Sequence, residues 1–109
     1  MSTMDKKIIV KNKLGLHARP AALFVQVANK FNSTITVAKD DLAVNGKSIM
    51  GILMLAAETG STIIITASGD DAPEALLELE KILSIEDLDN ISEQHPVSIK
   101  NTGKKKNRQ

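Results

Sequence analysis

The chain has 109 residues, no Cys, Trp or Tyr, two Phe and a net charge of +1. That length suits one domain. The missing cysteines exclude disulfides, thiolate chemistry, iron–sulfur clusters and cysteine zinc sites, and the scarcity of aromatics and the balanced charge weigh against base stacking and against a field aimed at polyanions. No apolar run reaches the ~20 residues of a membrane helix. Lys6 and Lys7 are not followed by the apolar stretch of a signal peptide, so the cytoplasm is the expected location.

Lys6–Lys11 (KKIIVK) is β-rich and predicts a first strand, which Asn12–Gly15 breaks. Ala21, Phe24, Ala28 and Phe31, with Val27 beside them, make a stripe at helical spacing. Pro20 fits the first turn of that helix, where a missing N–H is no loss, so the helix starts near Ala18 with His17 at or beside its N-cap. Ser33–Ala38 alternates, Ile35 and Val37 on one face and Thr34 and Thr36 on the other, as in a half-buried strand. Asp40-Asp41 turns the chain into a short return strand, Leu42–Val44. Ser48 is an apt N-cap for a helix from Ile49 to about Ala56. Thr62–Ala67 (TIIITA) is apolar enough for a central strand, and Pro73 opens a last helix striped by Ala75, Leu76, Leu79, Ile82 and Leu83. The order is β-α-β-β-α-β-α: an α+β, open two-layer arrangement with helices on one face of a four-stranded, mainly antiparallel sheet.

Charge divides the chain. Residues 1–83 carry nine bases and nine acids, then Glu86, Asp87, Asp89 and Glu93 precede Lys100, Lys104, Lys105, Lys106 and Arg108. Residues 1–83 read as the folded body and 84–109 as an extension with a solvated basic end.

Chemistry concentrates in Asn12–Ala22 (NKLGLHARPAA). A helix N-terminus offers unpaired N–H groups and about half a positive charge, so it suits an anion. His17 there can carry a phosphoryl group on a ring nitrogen. The backbone N–H groups of Ala18 and Arg19 would face the phosphate oxygens, and the Arg19 guanidinium can pair with them. On the residues alone, His17 as a plain cap and Arg19 as a solvated charge stands level with this reading. The second feature is Val44–Leu55 (VNGKSIMGILML): Ile49, Met50 and Leu53 cannot all point inward together with Ile52 and Leu55, so an exposed apolar docking patch is expected beside Ser48.

GLHARPA, VNGKSIMGILML and GSTIIITASGDDAPEALLELEKIL together resemble HPr, the histidine-containing phosphocarrier family of the bacterial phosphoenolpyruvate-dependent phosphotransferase system, over about residues 5–83. The Gly46 variant and MLAAETGST are similar to the nitrogen-related branch of that family. The resemblance implies an open-faced β-sandwich that takes a phosphoryl group from enzyme I on Nδ1 of His17 and passes it to an enzyme IIA domain, with Arg19 balancing charge during transfer. It implies that Ser48 is a regulatory serine open to an HPr kinase/phosphorylase, and that Ile49, Met50 and Leu53 dock partners. It implies a carrier with no turnover of a small substrate alone, expected to be a monomer without cofactor or metal and without nucleic-acid or membrane partners. A regulatory homologue lacking the histidine exists in the family, and His17 argues against that form here.

Other features are discounted. His95 precedes Pro96 with no cysteine or second histidine nearby, so it is a poor metal ligand. Asp70, Asp71 and Glu74 read as acids complementing a helix dipole. Gly46-Lys47-Ser48 lacks the upstream glycine of a P-loop. Two other functions stay open: a mainly regulatory protein acting by contact through Ser48, and a small α+β nucleic-acid-binding domain using the basic tail. The second of these needs aromatics on an exposed sheet face, and the strands carry none.

Overall fold

In the computed structural model, residues 2–86 are described. They form β1 (Ser2–Ile9), α1 (Ala18–Ala28), β2 (Thr34–Lys39), β3 (Leu42–Asn45), α2 (Ile49–Met54), β4 (Thr62–Gly69) and α3 (Ala72–Ser84). Period-two alternation decides how the strands lie. Ile63, Ile65 and Ala67 of β4 are buried while Thr62 and Ile64 face out. As its apolar content suggests, β4 sits inside the sheet, whose order is β1-β4-β2-β3 with every pairing antiparallel.

Register brings the apolar residues of neighbouring strands onto one face. Ile8 pairs with Ile63, Ile35 with Ala67 and Val37 with Ile65. That face is covered by Ala21, Phe24 and Ala28 of α1 and by Ala75, Leu76, Leu79, Ile82 and Leu83 of α3. Removing a side chain such as Phe24 from water stabilises by about 1.5–3 kcal/mol, and Phe24 is completely buried. On the other face, Thr34 and Thr36 lie beside Ser68 and Thr66, and no helix among the described residues covers them. The result is an α+β open-faced β-sandwich. Among the described residues no helix is long and apolar enough to cross a membrane.

Element edges differ from the sequence expectations where tertiary bonds intervene. β1 begins at Ser2 and not at Lys6, because the N-terminal residues find a ladder in Thr66–Gly69 of β4. It ends at Ile9, and Lys11 gives its N–H to Leu83 O of α3. α1 stops at Ala28, short of Phe31. The C-cap Asn29 gives its backbone N–H and its Nδ2 to Val25 O, and Phe31 packs on the core from the following turn. α2 closes at Met54, two residues early. Leu55 and Ala56 donate to carbonyls three residues back, and Ala56 takes φ 49.

Asp71, expected to serve the dipole of α3, holds another part of the chain. It is the N-cap of α3 but makes no cap bond from its side chain. Its carboxylate accepts from Ser33 Oγ at 2.5 Å, Asn32 N at 2.8 Å and Ser33 N at 3.0 Å. The Ser33 hydroxyl bond, then the Asn32 amide, hold its pKa below the usual carboxylate value of 3.8. Residues 87–109, including His95 and most of the extension, lie outside the described residues.

Candidate functional site

The start of α1 is fixed by the loop before it. Gly15 has φ 75, and a Cβ there would stand 2.5 Å from Ala57 O and 2.9 Å from Glu58 Cα. Glycine therefore lets the loop lie directly on the segment that leaves α2. The next residue, Leu16, is buried and donates its N–H to Ala57 O at 2.8 Å. Upstream, Thr59 Oγ1 lies 2.5 Å from Asn12 O and 2.9 Å from Lys13 O. Asn12 is itself buried, and its Nδ2 donates to Ile82 O and Ile85 O at the end of α3. The loop is thus bound on one side to residues 57–59 and on the other to α3.

His17 comes next as the N-cap, with φ −87 and ψ −168. Its backbone supplies what the cap needs: its N–H goes to Gly15 O at 3.0 Å and its carbonyl accepts from Ala21 N at 2.9 Å. The imidazole makes no cap bond and is half-buried, so the ring is available for chemistry. Ala18 and Arg19 stand exposed in the first turn, and Pro20 is buried behind them. Because Pro20 has no N–H and Ala21 N is committed to His17 O, the first-turn amides that an anion beside His17 would meet are those of Ala18 and Arg19.

Ser48 caps α2, its Oγ accepting from Gly51 N at 3.1 Å. Lys47 fixes this end to the far end of α1: Lys47 Nζ donates to Phe31 O at 2.7 Å and Lys47 O accepts from Asn29 Nδ2 at 3.2 Å. The exit from α2, at Ala57, lies against Leu16. α2 consequently runs back along α1. His17 and Ser48 are not brought together but stand toward opposite ends of α1, whose 11 residues span about 16 Å.

Between them α2 buries Ile52 and leaves Ile49, Met50 and Leu53 exposed at 40%, 67% and 38%. Sequence reasoning placed these three on the docking face and left out two neighbours. Met54 is 63% exposed at the His17 end of α2, and Leu14 is 69% exposed in the histidine loop. Met54 was detectable from the helical spacing, but Leu14 was not, since a loop has no periodicity. The tethering roles of Asn12 and Thr59 also escaped notice, because their partners are main-chain carbonyls remote in sequence.

Known proteins are similar to this chain in sequence and fold. The family model described as the phosphorylation site of the HPr component of the phosphotransferase system matches residues 4–84. The HPr-like protein Crh of Halalkalibacterium halodurans is 53% identical over 73 residues, 67% of this chain and 87% of its own. The phosphocarrier protein HPr of Neisseria meningitidis serogroup A is 44% identical over 81 residues, 74% of this chain and 91% of its own. Among solved structures, that of phosphocarrier protein HPr from Bacillus anthracis superposes with a TM-score of 0.73 at 52% identity, covering 76% of this chain and 99% of that one. With the family model matched over residues 4–84 and the sheet and helix order matched in the solved structure, the chain belongs to the HPr family of the phosphotransferase system.

Proposed function

We propose that this chain is a phosphoryl carrier that works between two proteins. It accepts a phosphoryl group from phospho-enzyme I on His17 and gives it up to an enzyme IIA domain in the cytoplasm. The observation that carries this reading is the half-buried imidazole at the start of α1, with its backbone already satisfied and its side chain uncommitted to the cap. In the first transfer Nδ1 of His17 attacks phosphorus, the nitrogen–phosphorus bond to the donor histidine breaks, and the donor keeps the electron pair. In the second the same exchange runs from His17 to the acceptor. The developing charge lies on the phosphoryl oxygens, where the amides of Ala18 and Arg19 and the Arg19 guanidinium act.

Ser48 supplies regulation in this reading. Its hydroxyl is only part-exposed but stands at the edge of the Ile49, Met50 and Leu53 patch. A phosphate added there by an HPr kinase/phosphorylase brings a charge of about −1.5 to −2 to that patch. A partner seated on the apolar face of α2 then meets a dianion in place of a hydroxyl. Similarity to HPr-like protein Crh at 50–53% identity, whose Bacillus subtilis form is described as the catabolite repression HPr, supports a regulatory role beside the carrier role.

The test is incubation with phosphoenolpyruvate and a cognate enzyme I. One acid-labile phosphate is expected on the wild-type chain and none on His17→Ala, whose unfolding midpoint stays unchanged because the imidazole holds no cap. Acid-labile labelling of His17→Ala at the wild-type rate would overturn the assignment.

A further inference from the structure

The chain offers an oxidant few targets. It has no Cys, Trp or Tyr, so its four Met carry the side chains that two-electron oxidants attack most readily. Met1 lies outside the described residues, and the other three differ in access. Met50 and Met54 are exposed at 67% and 63%, against 40% for Met4, which stands in β1 opposite the buried Ala67. Met50 and Met54 lie one turn apart on the same side of α2 and flank Leu53, in the patch that also holds Ile49. Neither belongs to the core.

We infer that Met50 and Met54 form an oxidative modification site within the docking face, closed to partners by a peroxide and reopened by thiol-driven reduction. The thioether sulfur attacks one oxygen of hydrogen peroxide and the O–O bond breaks. Sulfur keeps that oxygen as a sulfoxide and is oxidised by two electrons, and the peroxide leaves as water. An adaptable apolar side chain thereby becomes a polar one. A protein seated on α2 must then strip water from the sulfoxide oxygens without replacing their hydrogen bonds. His17 and the amides of Ala18 and Arg19 keep their places, so the loss falls on docking and not on the transferred group. The carrier reading, on which this rests, supplies the partner that uses the face.

The test treats the full chain with hydrogen peroxide at neutral pH, removes the oxidant, and maps the sites by peptide mass. Met50 and Met54 should each gain one oxygen atom ahead of Met4. With enzyme I and the chain as varied substrate, the apparent KM should rise about tenfold while kcat and the unfolding midpoint stay unchanged. Methionine sulfoxide reductases acting on both epimers, with a dithiol, should restore the starting KM. In Met50→Leu/Met54→Leu, whatever its own starting value, peroxide should leave KM where it was, whereas Met4→Leu should respond as the wild type does. Oxidation of Met4 first, a KM change under about twofold, or a rise that persists in the double variant would overturn the inference. So would a lowered midpoint, which would assign the effect to unfolding of α2. No transfer even to the untreated chain would sink the carrier reading and this inference with it. Normal transfer that ignores the sulfoxides would sink this inference alone.

Discussion

Gly15→Ala isolates the contact that seats the histidine loop. Two costs add at this position. An L-residue at φ 75 occupies the left-handed region, at roughly 1–2 kcal/mol. The new methyl group would stand 2.5 Å from Ala57 O and 2.9 Å from Glu58 Cα, both main-chain atoms that cannot rotate away. Overpacking of that kind costs about 1–3 kcal/mol. The sum, about 2–5 kcal/mol, is a large share of the roughly 5–10 kcal/mol that holds a domain of this size.

Gly60→Ala is the internal control. Gly60 has φ 91, but a Cβ there meets nothing within 4 Å, so only the conformational cost applies. Urea unfolding followed by helical signal should therefore show a loss for Gly15→Ala that exceeds the loss for Gly60→Ala by about 1–3 kcal/mol, or roughly 1 M in midpoint. The Gly15 variant should also accept phosphate more slowly where it remains folded, because Leu16 N can no longer reach Ala57 O without moving His17. Equal losses in the two variants would refute the claim that close backbone approach, on top of the left-handed conformation, makes position 15 require glycine.

Arg19→Ala should leave the melting curve in place and slow phosphoryl transfer by about 2–4 kcal/mol of transition-state stabilisation, measured by rapid-quench transfer from phospho-enzyme I. Ser48→Asp should raise the apparent KM for this protein in the enzyme I reaction with an unchanged or slightly raised unfolding midpoint, since a carboxylate suits a helix N-terminus while an apolar partner surface does not. The carboxyl of Asp71 is more acidic folded than unfolded, so its stabilisation is present in full above the unfolded value near 3.8 and is lost as pH falls through the folded value. Denaturation curves from pH 5 downward should accordingly fall more steeply for the wild type than for Asp71→Asn, with the difference confined to pH below about 4.

Sequence patterns were enough to place every element: spacing marked α1, β2 and α3, where burial imposes its own period, while β-rich or apolar runs, a turn and a capping serine marked β1, β4, β3 and α2. Ile35 and Val37 against Thr34 and Thr36 identified a one-sided strand, and the structure has the first pair inside and the threonines on the uncovered face. The excess of apolar residues on α2 was likewise legible, since Ile49, Met50 and Leu53 cannot share one face with Ile52 and Leu55. His17 drew attention through its place at a helix start next to Arg19 and Pro20, and its functional reading came from resemblance to a family.

Element ends and the support of the site were decided only by the tertiary structure. Nothing in Ser2–Asp5 marks a strand until β4 offers it a ladder, and nothing in a stripe reaching Phe31 says that Asn29 will cap at Ala28. Asp71 looked like a dipole partner for its own helix, yet its carboxylate is used by Asn32 and Ser33, 39 and 38 residues away. Asn12 read only as part of the stretch that breaks the first strand and Thr59 drew no reading, yet they tie the histidine loop to α3 and to the exit of α2. For Asp71, Asn12 and Thr59 the physical reason is the same. Apolar burial follows a repeat along the chain and leaves a pattern in it, whereas a hydrogen bond to a remote main-chain group needs one side chain at one point in space and leaves no pattern at all.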